Sequence, residues 1–554
     1  MRHRIEQATL LWHTVRHLKP IQIGGRVWFR LRRPKPDLAP TPALRARTGP
    51  WEKPATRRPS LTGPERFRFL NEDGGLAGGW DDGNHSKLWR YNLHYFDDLN
   101  AEGAAERTAW HEALIRRWVS ENSPGRGTGW EPYPTSLRIV NWIKWSLGGN
   151  HLPPEAVQSL AVQARWLSRR LEHHLLGNHL LANGKALVFA GCFFQGDEAA
   201  RWLSRGAAII EREVPEQILA DGGHFELSPM YHSLALEDSL DLANLGRTFP
   251  DAQGRWARAG EMIAGRDKPM RRWLAAMCHP DGEIAFFNDA AIGVAPPPAD
   301  LEAYASRLGF AAAEPPAAGL LLESGYARLE AGPAVALVDT ARVGPDYLPG
   351  HAHADTLSFE LSVFGRRVLV NSGTSLYDVG AERHRQRGTA AHNTVLVAEE
   401  NSSEIWSAFR VARRARPFGR SIEHDGDGTT LSCSHDGYAR LRGRPVHCRR
   451  LTLRSGGLTI EDILHGGSHQ AEARFHFHPT WIVVSDGSHG NAVSDSGQCI
   501  EWTADAGAAG LEASSYHPEF GIGMPSTCLV VKLQSGRSRV RFTWHTAANP
   551  FGPI

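Results

Sequence analysis

Between residues 88 and 280 apolar side chains recur every three or four positions. In AERTAWHEALIRRWVSEN, Trp110, Leu114, Trp118 and Val119 share one helical face. Runs of the same period at 136–147, 155–171, 182–193, 198–212, 230–246 and 269–278 predict further helices, and Gly, Pro or Asn punctuates the gaps between them. Such a succession predicts paired helices in a ring or solenoid, although the letters hold no fixed-period repeat. At 295–318 the chain turns Pro- and Ala-rich, which marks a domain junction. Beyond it the period drops to two: TLSFELSVF, RRVLVNSG, HNTVLVAE, RRLTLRS, ARFHFHP, WIVVSDG and RVRFTWH read as strands bounded by Gly, Ser, Asp and Asn. Helices followed by strands predict an α+β multidomain chain, not one parallel α/β sheet. Residues 1–65 are basic and rich in proline, which disfavours regular helix and predicts an extended arm. The expected divisions are therefore 1–65, 66–315 and 316–554.

Composition changes this picture little. Of 554 residues, 41% are hydrophobic and 22% charged, as expected for a globular protein with a large core. The 62 basic and 60 acidic side chains leave a net charge of +2, too balanced to point to nucleic acid. The 18 Trp supply flat faces that stack on sugars, but also core filling. None of the six cysteines falls in a CxxC pair, which argues against a zinc ribbon or dithiol redox centre. His13, Arg16, His17 and Lys19 interrupt the opening apolar run before it reads as a signal peptide, and no stretch has the length of a membrane span. The expectation is a cytoplasmic protein, with the periplasm or another export route as the alternative.

Three clusters carry candidate chemistry: Asn178-His179 at the start of a helical run; Asp221-Gly-Gly-His224-Phe-Glu226 through Tyr231-His232; and His351-Ala-His353-Ala-Asp355, followed by Asn371 and His392. An Asn-His pair before a helix is commonly a cap with a packed histidine, and Glu226 with Tyr231 is commonly a solvated acid with a core ring. The His-x-His-x-Asp run is more specific, because alternation along a strand puts all three side chains on one face. Two metal readings are open there. His351 and His353 together bind one ion, or His353 joins Asn371 and His392 and leaves His351 free for chemistry.

LWRYNLHYFDDL, GWEPYPTSLRIVNW, GNHLLANGKALVFAG, DGGHFELSPMYH, HAHADTLSFEL, VLVNSGTSLY and AAHNTV occur in this order over residues 85–400. Together they resemble the heparinase II/III superfamily of polysaccharide lyases. The opening, with TVRHLKP and VWFRLRR, is similar to members encoded among bacterial exopolysaccharide genes. The resemblance implies an N-terminal (α/α) toroid followed by a C-terminal antiparallel β-sandwich. It also implies β-elimination on an acidic, uronate-containing polysaccharide such as a glycosaminoglycan or alginate.

By similarity, Asn178 binds the uronate carboxylate, His179 shares that work or acts as a base, Tyr231 serves as base, acid or both, and His351 assists it. Trp130, Arg138, Asn141, Trp142 and Glu226 are candidates for lining the sugar subsites. His353, Asn371 and His392 match positions that hold a divalent metal, zinc first, with manganese or calcium as alternatives. Asn371 stands where an Asp is typical, which weakens the site unless Asp355 compensates. Two rival readings are a catalytically idle polysaccharide-binding protein and a metal-dependent glycan hydrolase or deacetylase.

Overall fold

The computed structural model describes residues 2–545. The predicted amphipathic runs form the helices Thr108–Glu121, Pro132–Leu147, Pro154–Ser168, Gly177–Phe193, Asp197–Gln217, Pro229–Thr248 and Ala257–Ala276. They enclose a core that includes Trp118, Trp142, Leu160, Leu187, Leu203 and Leu245. Gly177–Phe193 and Asp197–Gln217 cross closely because a Cβ on Gly206 would sit 2.7 Å from the Gly184 carbonyl oxygen. The helical part is the (α/α) toroid, preceded by a small three-stranded sheet at Leu61–Gly63, Arg66–Phe69 and Glu72–Gly75.

The arm departs from its expected extended form. Residues Arg2–Val15 and Pro20–Leu31 are helical. Pro20 occupies the first helical turn, where its missing N–H has no partner to lose. Only the stretch after Leu31 runs extended as expected, and its cations fasten it to the toroid. The Arg45 guanidinium donates to the carbonyls of Cys192 and Phe194 at 3.0 and 3.2 Å, capping the helix Gly177–Phe193. Arg57 pairs with the buried Glu237.

After the junction, which contains the short helix Pro298–Arg307, every paired strand runs antiparallel to its neighbours. One sheet comprises Gly319–Leu321, Tyr326–Ala331, Ala334–Asp339, Phe359–Val363 and Arg366–Leu369 in chain order. An eight-stranded sheet runs from Pro417–His424 through Val446–Arg454 and Gly457–His465 to Trp481–Asp486, and Ala471–His476 belongs to a third, four-stranded sheet. Strict alternation in Gly457–His465 sends Leu458 and Ile460 into the sandwich core beside Phe475 and Phe542. A separate cluster of Leu227, Trp273, Met277, Phe287, Tyr326 and Leu337 joins toroid to sandwich. No helix among the described residues is long and apolar enough to cross a membrane.

Residues 351–355 are not on a strand, contrary to expectation. They form an irregular loop ahead of Phe359–Val363, and Leu357 adopts a left-handed backbone (φ 65°). The loop is tied down by its own backbone: Asp289 N–H donates to the His351 carbonyl and Ala354 N–H to that of Arg387, both at 2.9 Å.

Candidate active site

Asn178 and His179 open the helix Gly177–Phe193, which starts from two left-handed residues, Leu176 (φ 65°) and Gly177 (φ 55°). A side chain at 177 would strike Leu348 and approach Glu226 Oε1 to 3.0 Å, so glycine lets the helix N-terminus settle over the Glu226 carboxyl group. His179 Nδ1 lies 3.1 Å from Glu172 Oε1, and its ring packs at 4.5 Å on Tyr133. Burial disfavours the imidazolium, but the carboxylates of Glu172, Glu226 and Glu131 outweigh it and hold the His179 pKa above its ordinary value.

Tyr231 lies in the first turn of Pro229–Thr248, where the Ser228 hydroxyl accepts its backbone N–H. Its phenol is 3.1 Å from the Tyr377 hydroxyl, and its ring lies against that of His351 with centroids 3.9 Å apart. Burial, followed by the neighbouring Tyr377, raises the Tyr231 pKa well above that of a free phenol. This phenol therefore keeps its proton.

His351 comes from the sandwich and crosses to the toroid. Its Nδ1 is 2.9 Å from Asp289 Oδ2, and its Nε2 is 3.6 Å from Glu226 Oε2. Both Glu226 oxygens are buried, and the polar groups that face them are the His351 ring and the Asn178 N–H. Burial pushes the Glu226 pKa up against the opposing effect of His351 and the Asn178 N–H. A carboxyl group with a raised folded-state pKa favours the fold while protonated and weakens it as pH rises through that pKa. Glu226→Gln, neutral throughout, should match the wild type in Tm below about pH 4 and exceed it above the folded pKa. Each unit of elevation is worth about 1.4 kcal/mol. Thermal unfolding of both proteins across the pH range checks this, and parallel Tm curves would contradict it.

Asp289 was not among the residues picked out from the sequence, yet it organises the centre. One oxygen is 2.9 Å from His353 Nε2, the other 2.9 Å from His351 Nδ1, and Arg383 binds both. Although burial opposes ionisation, Arg383 and the two histidines hold the Asp289 pKa well below the ordinary carboxylate range. Tyr377, Arg383 and Glu172 were likewise missed.

His353 and His392 come together, with Nδ1 and Nε2 3.3 Å apart. The third potential ligand beside them is Asp355, within 4.8 Å of both. Asn371 is committed elsewhere: its amide oxygen accepts the Asn393 N–H at 3.2 Å and its NH2 faces Ser358 at 3.4 Å. Two imidazoles and a carboxylate suit zinc, and the bond from His353 to Asp289 is the outer contact such ligands use. The fit favours His353, His392 and Asp355 over the set containing Asn371.

The expected subsite residues divide. A cleft of about 310 Å³ runs between toroid and sandwich and includes Tyr133, Asn141, Lys185, Tyr231 and Tyr377 in its lining. Asn141 reaches this cleft, with its amide donating to Asp97 at 2.7 Å, and Glu226 lies 3.6 Å from the His351 ring. Trp130, Arg138 and Trp142 are core instead. Trp142 packs edge-on against Trp118 and Phe96, and the Trp130 indole donates to the Asn122 carbonyl. Arg138 is fully buried, donates to Gln163 and to the carbonyls of His94 and Gly129, and lies 3.8 Å from the Trp118 ring centre. It is a brace inside the toroid, closed to any ligand.

Residues 129–295 match the family model of the heparinase II/III N-terminus, and residues 313–545 that of the heparinase II/III-like C-terminal domain. The chain is 26% identical over 255 residues to a heparin-sulfate lyase of Bacteroides stercoris, covering 42% of this chain and 38% of that one. It is 26% identical over 276 residues to a heparin-sulfate lyase of Pedobacter heparinus, covering 45% and 40%. The matches thus span less than half the length of these relatives. A crystal structure of heparinase III superposes with a TM-score of 0.69 at 18% identity, covering 86% of this chain and 81% of that one. The heparan sulfate lyase HepC from Pedobacter heparinus gives 0.58 at 18%, covering 95% and 88%. At these identities the structural likeness speaks for the fold, which is the same toroid followed by a sandwich. With both domain models matched in order on either side of the junction, the chain belongs to the heparinase II/III family.

Proposed function

We propose that this protein is a polysaccharide lyase that cleaves a uronate-containing polymer by β-elimination. The observation that carries the reading is the stack of His351 on Tyr231, with Asp289 fixing the far nitrogen of the imidazole. Nδ1–H donating to Asp289 leaves Nε2 as the basic atom, as in other carboxylate–histidine pairs. His351 Nε2 takes the proton from C5 of the uronate. The electron pair moves toward the sugar carboxylate, where the His179 cation and the Asn178 amide offset the growing charge. The C4–O bond breaks, and the Tyr231 hydroxyl gives its proton to the departing oxygen. Proton transfer from His351 to the phenolate then resets the pair, with Tyr377 donating to the phenolate meanwhile.

Relatives named as heparin-sulfate lyases support a glycosaminoglycan as the substrate class, with alginate as the alternative. The test is ultraviolet absorbance during incubation with heparan sulfate, hyaluronan, chondroitin sulfate, alginate and pectate in turn. Elimination creates a conjugated double bond that the intact polymers lack. Binding to one of these polymers without any rise would favour the idle, polysaccharide-binding reading instead.

A divalent ion, zinc first, would be held by His353, His392 and Asp355, bracing the loop that carries His351. All three are buried, which would suit an ion that braces this loop more than one that meets a polymer, and so favours the lyase over the hydrolase or deacetylase reading. Added zinc is expected to raise the Tm of metal-stripped wild type and to leave His392→Ala unchanged. Equal shifts in both proteins would place the ion elsewhere.

A further inference from the structure

Away from the cleft, the helix Arg2–Val15 and the turn after it close against the sandwich around a second hollow of about 610 Å³. Arg16, Arg342, Arg413, Arg414, Arg416 and Arg440 line it, against only two acids, Asp346 and Asp436. Arg413 is answered by Glu404 at 3.0 Å and Arg440 by Glu400 at 3.3 Å. Arg16, Arg342 and Arg416 make no ion pair among the described residues. Arg414 is the telling member. Its side chain is only 7% exposed, Nη1 meets Asp346 at 2.8 Å, and the buried Nε and Nη2 have no partner. Guanidinium N–H groups taken out of water and left unanswered are costly, and their planar fork matches two oxygens of one oxyanion.

The rear wall gives the hollow a place in the molecule. Val343, which lines it, packs with Ala352, Ala354, Ile405 and Val411, and Ala352 lies between His351 and His353. The hollow therefore backs onto the histidine loop rather than opening into the cleft.

We propose that this hollow is a binding site for a tetrahedral oxyanion, sulfate or phosphate, with Arg414 as its buried anchor and Arg342 and Arg416 at its mouth. The site stands or falls independently of the lyase reading, because its test is binding. Isothermal titration of the full chain with inorganic sulfate, inorganic phosphate and a sulfated oligosaccharide measures it. Each is repeated on Arg342→Gln/Arg416→Gln, two exposed positions whose loss leaves the fold intact, and on Arg414→Gln. Losing charge-assisted contacts should weaken binding about tenfold or more in both variants. A sulfated oligosaccharide that outbinds inorganic sulfate identifies the source as a saccharide, and equal affinities identify a free anion. Absence of binding by all three probes, or affinities unchanged in both variants, would overturn the proposal.

The helix Pro20–Leu31 supports a second, separate proposal, because its apolar side faces outward. Gln22 is its buried residue, Gly25 backs onto the His173–His174 backbone, and Phe29 lies on the His174 ring at 4.3 Å. Ile23, Val27 and Leu31, spaced by four, point into solvent with Trp28, and Leu31 is 76% exposed. From Gln7 to Pro36 the chain carries seven Lys and Arg and no acidic residue. Of these cations only Lys19 meets an acid, Glu216, in an ion pair among the described residues. Apolar side chains flanked by the others match an anionic bilayer surface in both respects. We infer that this helix lies in the interface of an anionic membrane. The full chain should sediment with vesicles containing phosphatidylglycerol and not with pure phosphatidylcholine, and Val27→Glu/Leu31→Glu should abolish this. Failure to sediment with the anionic vesicles would overturn the inference. So would a dimer in solution that the same substitutions dissociate, since a second copy would then cover the face.

Discussion

Replacing Tyr231 with phenylalanine is expected to lower turnover by about 10²–10⁴-fold, the range for loss of a positioned acid or base, with little change in KM. The ring stays, so its packing at 3.9 Å against His351 and the helix N-cap at Ser228 persist. What disappears is one hydroxyl, and with it the 3.1 Å contact to Tyr377. Burial and Tyr377 hold that hydroxyl protonated, which suits delivery of a proton to a leaving oxygen and ill suits removal of one from carbon. The measurement is initial rate by ultraviolet absorbance on the polymer that wild type cleaves, alongside the Tm of both proteins. A rate within threefold of wild type at unchanged Tm would remove Tyr231 from the chemistry and leave His351 to serve both proton transfers. Loss of kcat/KM carried mainly by a large rise in KM would mean that the phenol binds sugar instead.

The fold was largely legible because burial dictates period. Every predicted helical run between 105 and 278 corresponds to a helix, and the run RVRFTWH lies in the strand Arg537–Trp544, which alternates inward and outward as its letters do. Proline density misled at the N-terminus, since Pro20 at a first turn costs its helix nothing, and the helix it starts spans Pro20–Leu31. At the site, a residue's type was legible but its surroundings were not. Arg138 and Trp142 have the chemistry of sugar contacts, yet both are sealed in the toroid, where Arg138 spends its donors on carbonyls and Gln163. Asp289 lies in the loop segment FFNDAA with no spacing signature, and it acquires meaning only when His351, His353 and Arg383 converge on it in space. Alternation in the letters predicts His351, His353 and Asp355 on one face of a strand. The histidines do act together, but through one shared carboxylate on an irregular loop.

Asp289→Asn should be strongly damaging, and it should act on stability and on rate by separable routes. The buried Arg383 guanidinium would keep its charge and lose its counter-ion, a situation that typically costs about 3–5 kcal/mol. The sign of the pH dependence follows from the depressed Asp289 pKa. Its contribution to stability is present above the unfolded value, about 3.9, and is lost as pH falls through the folded value. The Tm gap between wild type and variant should therefore be widest near neutrality and close under strongly acidic conditions. On rate, an amide that turns its NH2 toward His351 Nδ1 favours the tautomer with the proton on Nε2, which removes the basic atom. A fall in kcat of about 10²–10⁴-fold is expected in the folded fraction, with KM nearly unchanged. Arg383→Gln separates the two effects: it breaks the same ion pair but leaves the carboxylate on His351, so it should lose stability and retain most of kcat. If both variants lost kcat equally, Asp289 would be a structural brace and the orientation of His351 would have to come from elsewhere.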